Sequence, residues 1–189
     1  MNITPINNSC NFGKRAIFNC TIKRKGSNEK EAATLYKMDK GGFEDRKEIE
    51  NSSLPLWLRI NFTDSRKANG ANFYCLQTND TKEIISAAQT SRHLNRSEGK
   101  YEGVNTIIDE YGENPDFVDP STPILAHIAK TAQDKGDKFV LTAFRTEEAP
   151  SFKNASFSKS KYENWILPEK RYVNLIDRAE KRAGIEYLV

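Results

Sequence analysis

The sequence has no long apolar run, and it is poor in the residues that bind metals or form disulfides. None of its 189 residues belongs to a stretch near the roughly 18 to 20 apolar residues that a membrane-spanning helix needs. The N-terminus lacks the basic start and apolar stretch of a secretory signal. There are three cysteines, with no Cys-x-x-Cys pair, and two isolated histidines. These absences argue against a zinc site, a disulfide framework and a membrane protein.

The composition suits one water-soluble domain, which we expect to span residues 1–189. Hydrophobic residues make up 37% of the chain and charged residues 29%, and this length can bury a sizeable core. The formal net charge of +3 is too small to imply nucleic acid, so we expect no such partner. The predicted location is the cytoplasm. The polar residues 1–12, interpreted as a flexible leader, leave open secretion into a host cell by a specialised system.

The first half of the chain alternates strand and helix patterns. Apolar periodicity and turn residues predict, in order, a strand at residues 16–22, a helix at 28–38, a short helix at 45–50, a strand at 56–62, and strands at 73–78 and 83–91 joined by the polar residues 79–82. Two strand patterns around a short polar connector are typical of a hairpin. We therefore expect the last two strands to pair antiparallel.

The second half predicts a crossover between two further strands. The pattern gives a strand at residues 102–108, a loop with five acids at 109–120, a helix at 121–135, a strand at 138–144, a short helix at 147–153, a helix at 171–182 and a strand at 185–189. The helix at 121–135 is long enough to connect parallel neighbours. We therefore expect the strands at 102–108 and 138–144 to lie side by side and parallel.

Several segments within residues 72–160 resemble the core of Gcn5-related N-acetyltransferases (GNAT). They are a strand reading Glu83-Ile-Ile-Ser-Ala-Ala, a helix from Ile124 to Gly136, a strand reading Phe139-Val-Leu-Thr-Ala-Phe, and a segment from Ala149 to Phe157. The resemblance implies an α/β fold in which a mixed central sheet is flanked by helices. It also implies acetyl-CoA as cofactor, and transfer of an acyl group to an amine on a protein or small molecule.

Three departures weaken what the resemblance implies about the cofactor. The family's glycine-rich loop lets backbone N–H groups approach the pyrophosphate, whereas here the loop contains Asp116 and Asp119 and no glycine. Phe152 stands where the family often has a tyrosine that protonates the leaving thiolate, and Ser156 replaces a glycine. We expect weak coenzyme A binding, millimolar rather than micromolar. The alternative is a non-catalytic bacterial or phage effector that binds a host protein.

Catalytic candidates lie on the strands beside the expected cleft. A general base must reach the substrate amine, and Glu102 stands at the strand start where the family often keeps one. Asp109 and Glu110 are further carboxylates at the other end, and His93 is a candidate base or substrate contact. Tyr111 is a hydroxyl that can replace the missing tyrosine. For each, the alternative is an ordinary solvated or packing residue.

The resemblance also assigns cofactor contacts. They are Ile107 and Ile108 at the strand end, and Ser121 and Thr122 at the helix start, whose hydroxyls and free N–H groups suit a phosphate. His127 is interpreted as a packing residue, and we expect no metal.

Overall fold

The computed structural model describes residues 14–38, 43–63, 71–97, 100–142, 149–161 and 164–188. The predicted leader lies outside these ranges, as do the ends of the predicted segments at 138–144, 147–153 and 185–189. The elements in chain order are β1 Lys14–Arg24, β2 Lys30–Met38, α1 Phe43–Glu50, α2 Leu56–Thr63, β3 Asn72–Thr78, β4 Ile84–Ser97, β5 Lys100–Glu113, β6 Phe117–Val118, α3 Thr122–Asp134, β7 Phe139–Thr142, α4 Ala149–Asn154, β8 Ser158–Lys159, β9 Trp165–Pro168, a 3-10 turn Glu169–Arg171, α5 Tyr172–Ala183 and β10 Glu186–Tyr187.

The described strands form one mixed sheet in the order β10-β1-β2-β3-β4-β5-β7-β9-β8, with β6 added to β1. The predicted hairpin is confirmed, because β3 and β4 pair antiparallel. The predicted parallel pair is also confirmed: β5 and β7 run parallel, joined through α3. The remaining pairs in this sheet are antiparallel. The expected mixed α/β sheet flanked by helices is thus the observed one.

β5 has a bulge next to the last described residue pair that it forms with β7. The register with β7 runs from Thr106 to Ile108, while the register with β4 continues to Glu113. Thr90 of β4 pairs with Ile108, and its neighbour Gln89 pairs with Glu110. Asp109 is therefore the extra residue of the bulge. An extra residue bends a strand and redirects its side chains. The strand therefore bends directly after Ile108, which pairs with Thr142 of β7.

The two faces of the sheet are covered by different helices. The larger core lies under α3 and α5, whose buried residues recur at helical spacing. The smaller core, on the opposite face, packs Ile49 of α1 and Leu58 of α2 against β3 and β4. A Cβ at Gly112 would lie 2.4 Å from Leu58 Cδ2. Helix α2 therefore lies close against the end of β5.

Two predicted elements have the wrong secondary structure. The predicted helix at residues 28–38 is wrong, because this segment forms β2 between β1 and β3. Its residues Ala33 and Leu35 are fully buried, and this central position overrides local helix propensity. The predicted strand at residues 56–62 is also wrong, because it forms α2. Leu54 and Leu58 are buried while Leu56 and Ile60 are exposed, which is helical spacing.

The predicted loop at residues 109–120 is wrong at residues 109–113 and 117–118, which form strands. β5 continues to Glu113, and residues 117–118 form β6. The acids suggested a loop, but the Glu113 carboxylate accepts hydroxyl hydrogen bonds from Tyr111 and Ser151, at 2.7 and 2.6 Å. These donors stabilise a carboxylate within a strand. Strands β8 and β9 had no predicted counterpart.

Candidate active site

Tyr111, near the end of β5, contacts α4. The buried Tyr111 ring packs edge-on against Phe152, with centroids 5.2 Å apart. Its hydroxyl donates to Glu113, which also accepts a hydrogen bond from Ser151. The resemblance aligns Phe152 with the family's tyrosine, and this alignment stays a prediction. The structure places the Tyr111 side chain in contact with Phe152.

A second group of residues lies on the face of the sheet opposite α3. We call it the polar strip: Ser91 and His93 of β4, with Asn105 and Asp109 of β5. His93 pairs directly with Asn105, and Ser91 pairs with Ile107. Side chains alternate along strands, and the intervening Arg92 and Thr106 turn to the α3 side, where both bind Asp137. The polar strip therefore faces the other way.

The Asp109 carboxylate is linked to the protein surface through Ser91 and His93. The Ser91 hydroxyl lies 3.0 Å from His93 Nε2, and His93 is exposed. Burial raises the pKa of Asp109, while a hydrogen bond from Ser91 and the nearby His93 act in the opposite direction. Desolvation disfavours the charged form of a carboxylate, which makes it a stronger base. This arrangement can accept a proton and pass it toward solvent.

Two acceptor oxygens in the polar strip lack donors. Asp109 Oδ2 and Asn105 Oδ1 are buried, and no described residue hydrogen-bonds to either. Buried polar atoms are nearly always paired. Ile107 lies between them on the same face, beside its register partner Leu141 of β7, and both are half-buried. The strip therefore combines unpaired acceptors with a partly exposed apolar surface.

The start of α3 differs from the predicted phosphate site in its details. Thr122 Oγ1 donates to Asp119 Oδ1 at 2.8 Å, so this hydroxyl is already engaged. Ser121 is fully buried, and its Oγ has no partner among the described residues. Asp119 has a φ of 51°, in the region that glycine adopts most readily. The backbone thus takes a glycine-like turn without a glycine, while Asp116 is exposed.

The segment before α3 is fastened to β1. β6 pairs with Lys23 and Arg24 of β1. The Arg24 guanidinium lies 4.4 Å from the Phe117 ring centroid, and it forms ion pairs with Glu31 and Glu83. These contacts hold the segment in one conformation.

The structure brings together some predicted site residues and separates others. His93 and Asp109 meet in the polar strip. Glu102 precedes Asp109 by seven residues on β5, roughly 20 Å along an extended strand. Ile107 adjoins the strip, whereas Ile108 is fully buried on the α3 side. Whether any of these residues is catalytic stays a prediction.

Ser91 and Asn105 were not among the predicted site residues. Their signal was the alternation Ser91-x-His93 and Asn105-x-Ile107-x-Asp109. This alternation becomes meaningful only once the β4–β5 register is known. Among the described residues there is no cluster of three side chains suited to a metal, and none of the described helices is long and apolar enough to cross a membrane.

The sheet order and the α3 crossover between the parallel strands β5 and β7 are those of the GNAT fold. Solved structures agree. A mutant of the toxin AtaT, bound to acetyl-CoA and the C-terminus of the antitoxin AtaR, matches with a TM-score of 0.55 and 11% identity, covering 77% of this chain and 98% of AtaT. AtaT complexed with acetyl-methionyl-tRNAfMet gives 0.55 and 11%, covering 76% and 98%.

Apo FdhC, a nucleotide-linked sugar GNAT, matches with a TM-score of 0.50 and 9% identity, covering 87% of this chain and 96% of FdhC. No protein-family model matches the sequence, and no curated protein matches it significantly. At these identities the similarity establishes the fold, and the chain has the fold of the GNAT acetyltransferases.

Proposed function

We propose that the protein is an N-acyltransferase that moves an acyl group from coenzyme A to an amine. The observation that carries the proposal is Asp109. A partly buried carboxylate with an unpaired oxygen lies at the β5 bulge, directly after Ile108, which pairs with Thr142 of β7. The binding of acetyl-CoA by the similar toxin AtaT supports the choice of cofactor.

Asp109 is the proposed general base. A primary amine is largely protonated at neutral pH, and it must lose a proton before its lone pair can attack a carbonyl. Asp109 Oδ2 accepts that proton, and the raised pKa of this carboxyl strengthens it as a base. Ser91 and the exposed His93 then connect it to solvent. Since these residues already contact one another, the proton has a short route out.

Coenzyme A, when bound, supplies the acyl group as an activated thioester. The residues that would hold it are the β5 segment from Asp109 to Glu113 and the start of α3, where the unpaired Ser121 Oγ fits a phosphate oxygen. Tyr111 Oη is the hydroxyl proposed to protonate the leaving sulfur, and in this structure it donates its proton to Glu113. Pro120 and Pro123 supply no N–H donors, and the Thr122 hydroxyl is engaged by Asp119. We therefore propose that affinity is weak.

Two measurements test the proposal. A thermal-shift series with acetyl-CoA measures binding, since a ligand at 100 times its Kd adds about 2.7 kcal/mol of stability. Release of free thiol in the presence of simple amines measures transfer. Tyr111→Phe should lower transfer about 10- to 100-fold, while Asp80→Asn, on an exposed turn, should leave it unchanged. Absence of both stabilisation and thiol release would overturn the proposal.

The second candidate is a non-catalytic interaction protein on the same scaffold. What favours it is the segment before α3, which has no glycine and is fastened to β1 through Arg24 and Phe117. On this proposal the chain binds a host protein as an effector. Failure of coenzyme A to bind at any accessible concentration would favour it over the acyltransferase.

A further inference from the structure

We propose that the acceptor is an aliphatic diamine or polyamine lying along the polar strip. Its reacting nitrogen contacts Asp109 and its second ammonium contacts Asn105. That one nitrogen of the diamine is acylated rests on the proposed function, whereas the binding of the diamine does not.

The first argument is the hydrogen-bonding character of the strip. Asp109 Oδ2 and Asn105 Oδ1 are both buried acceptors without a donor among the described residues. An alkylammonium group carries three donors and no acceptor, so it complements each of these oxygens. An anionic or acceptor-rich molecule would leave them unpaired and would be repelled by the Asp109 carboxylate.

The second argument is spacing. Residues 105 and 109 are four positions apart on β5, which is about 13 Å between Cα atoms in an extended strand, and somewhat less across the bulge. A single nitrogen cannot hydrogen-bond to both side chains over such a distance. Two nitrogens joined by a flexible stem can each bind one of the two side chains.

The third argument is the surface between the two acceptors. Ile107 occupies the intervening position, with Leu141 beside it on β7. Both are half-buried and apolar, so they offer contact to methylene groups rather than to further polar atoms. An alkyl stem with an ammonium at each end matches this order of polar, apolar and polar positions. A lysine in a peptide matches the strip less well than a diamine. Its side chain supplies one ammonium, and its second donor is an uncharged backbone amide.

The test is calorimetry on the full chain without coenzyme A. The probes are cadaverine, spermidine and n-pentylamine at constant ionic strength. The diamine and polyamine should bind at least about tenfold more tightly than the monoamine. Asn105→Leu should abolish this difference while leaving monoamine binding intact. Asn105→Asp should tighten diamine binding, because it adds a carboxylate at the second position, and Asp80→Asn serves as the control.

Equal affinity for monoamine and diamine would overturn the inference. A preference that survives in Asn105→Leu, shown to be folded by its unfolding transition, would also overturn it. So would a lysine-containing peptide that binds more tightly than every free amine. A thiol-release assay separates the two proposals. Diamine binding without thiol release in the presence of acetyl-CoA contradicts only the proposed acyltransferase activity. Thiol release without a preference for diamines contradicts only the proposed diamine acceptor.

Discussion

Asp137 and Asp109 are carboxylates that lie against opposite faces of the sheet at β5, in contrasting surroundings. Asp137 is fully buried, and it accepts hydrogen bonds from the Arg92 guanidinium and from Thr106. Tyr172 also donates to the Asp137 backbone carbonyl at 3.1 Å. Asp109 has one oxygen without a described partner, and burial raises its pKa. The Asp137 carboxylate joins β4 to β5 and its backbone carbonyl binds α5, whereas Asp109 keeps one acceptor oxygen without a described donor.

The largest expected effect is on activity at Asp109. Asp109→Asn removes the proposed base, so kcat/KM should fall about 10²- to 10⁴-fold, the usual contribution of general acid–base catalysis. Steady-state kinetics with the best amine acceptor would measure it. Because the pKa of Asp109 is raised by folding, ionising this group opposes folding as pH rises. The variant should therefore be no less stable than the wild type at neutral pH, and activity retained in full would remove Asp109 from the mechanism.

Asp137→Asn should lower stability and leave activity unchanged, which is the opposite of the effect expected for Asp109→Asn. It breaks the ion pair of Arg92 with the buried Asp137 carboxylate and weakens the acceptor of the Thr106 hydroxyl, so we expect a loss of about 3 kcal/mol in the free energy of unfolding. Urea denaturation measures this loss. Residual activity per folded molecule should be retained, since Asp137 lies on the other face. A stability loss from Asp109→Asn as large as that from Asp137→Asn would contradict the distinction between the two carboxylates.

His127 provides a pH test of the α3 face. Burial lowers the pKa of His127 to about 4, with Asp134 opposing and three lysines adding to the shift. The unfolded state therefore binds the proton first as pH falls below about 6.5, and stability should drop by about 2 kcal/mol between pH 7 and pH 5. Unfolding curves across this range measure the slope. His127→Leu should remove this component, and an unchanged slope would assign it to other groups.

The smallest expected effects concern backbone conformation. Ser156 has a φ of 67° where the GNAT pattern has glycine, and Gly136 has a φ of 69°. A Cβ at such angles is strained, so Ser156→Gly should stabilise the protein by about 1 kcal/mol. The reverse change, Gly136→Ala, has open space around the new Cβ and should destabilise by a similar amount. Thermal unfolding compares them, and shifts of the same sign would contradict this account.

Much of the fold could be predicted because several segments had only one reasonable interpretation. The β3–β4 hairpin had two strand patterns around a polar turn, and α3 combined Pro123, apolar periodicity and Gly136. β2 and α2 were assigned incorrectly because short segments fit either period, and their burial depends on distant neighbours. Glu113 was assigned to a loop because its donors, Tyr111 and Ser151, meet it only in the folded chain.

The candidate site was less predictable than the fold. His93 and Asp109 were recognised as separate candidates from their chemistry. That they form one strip with Ser91 and Asn105 depends on the β4–β5 register and on the bulge, and neither is encoded by any short motif. The unpaired state of Asn105 Oδ1 is likewise a property of the assembled sheet.

The attachment of β6 to β1 has a kinetic consequence. A phosphate that required the segment before α3 to move would first have to disrupt the pairing of Phe117 and Val118 with Arg24 and Lys23. The stacked and ion-paired Arg24 guanidinium would have to shift as well. Association that waits for such an opening is slower than simple encounter. On the proposed function, shortening the Arg24 side chain would then raise the open fraction, which speeds coenzyme A association and tightens its apparent affinity.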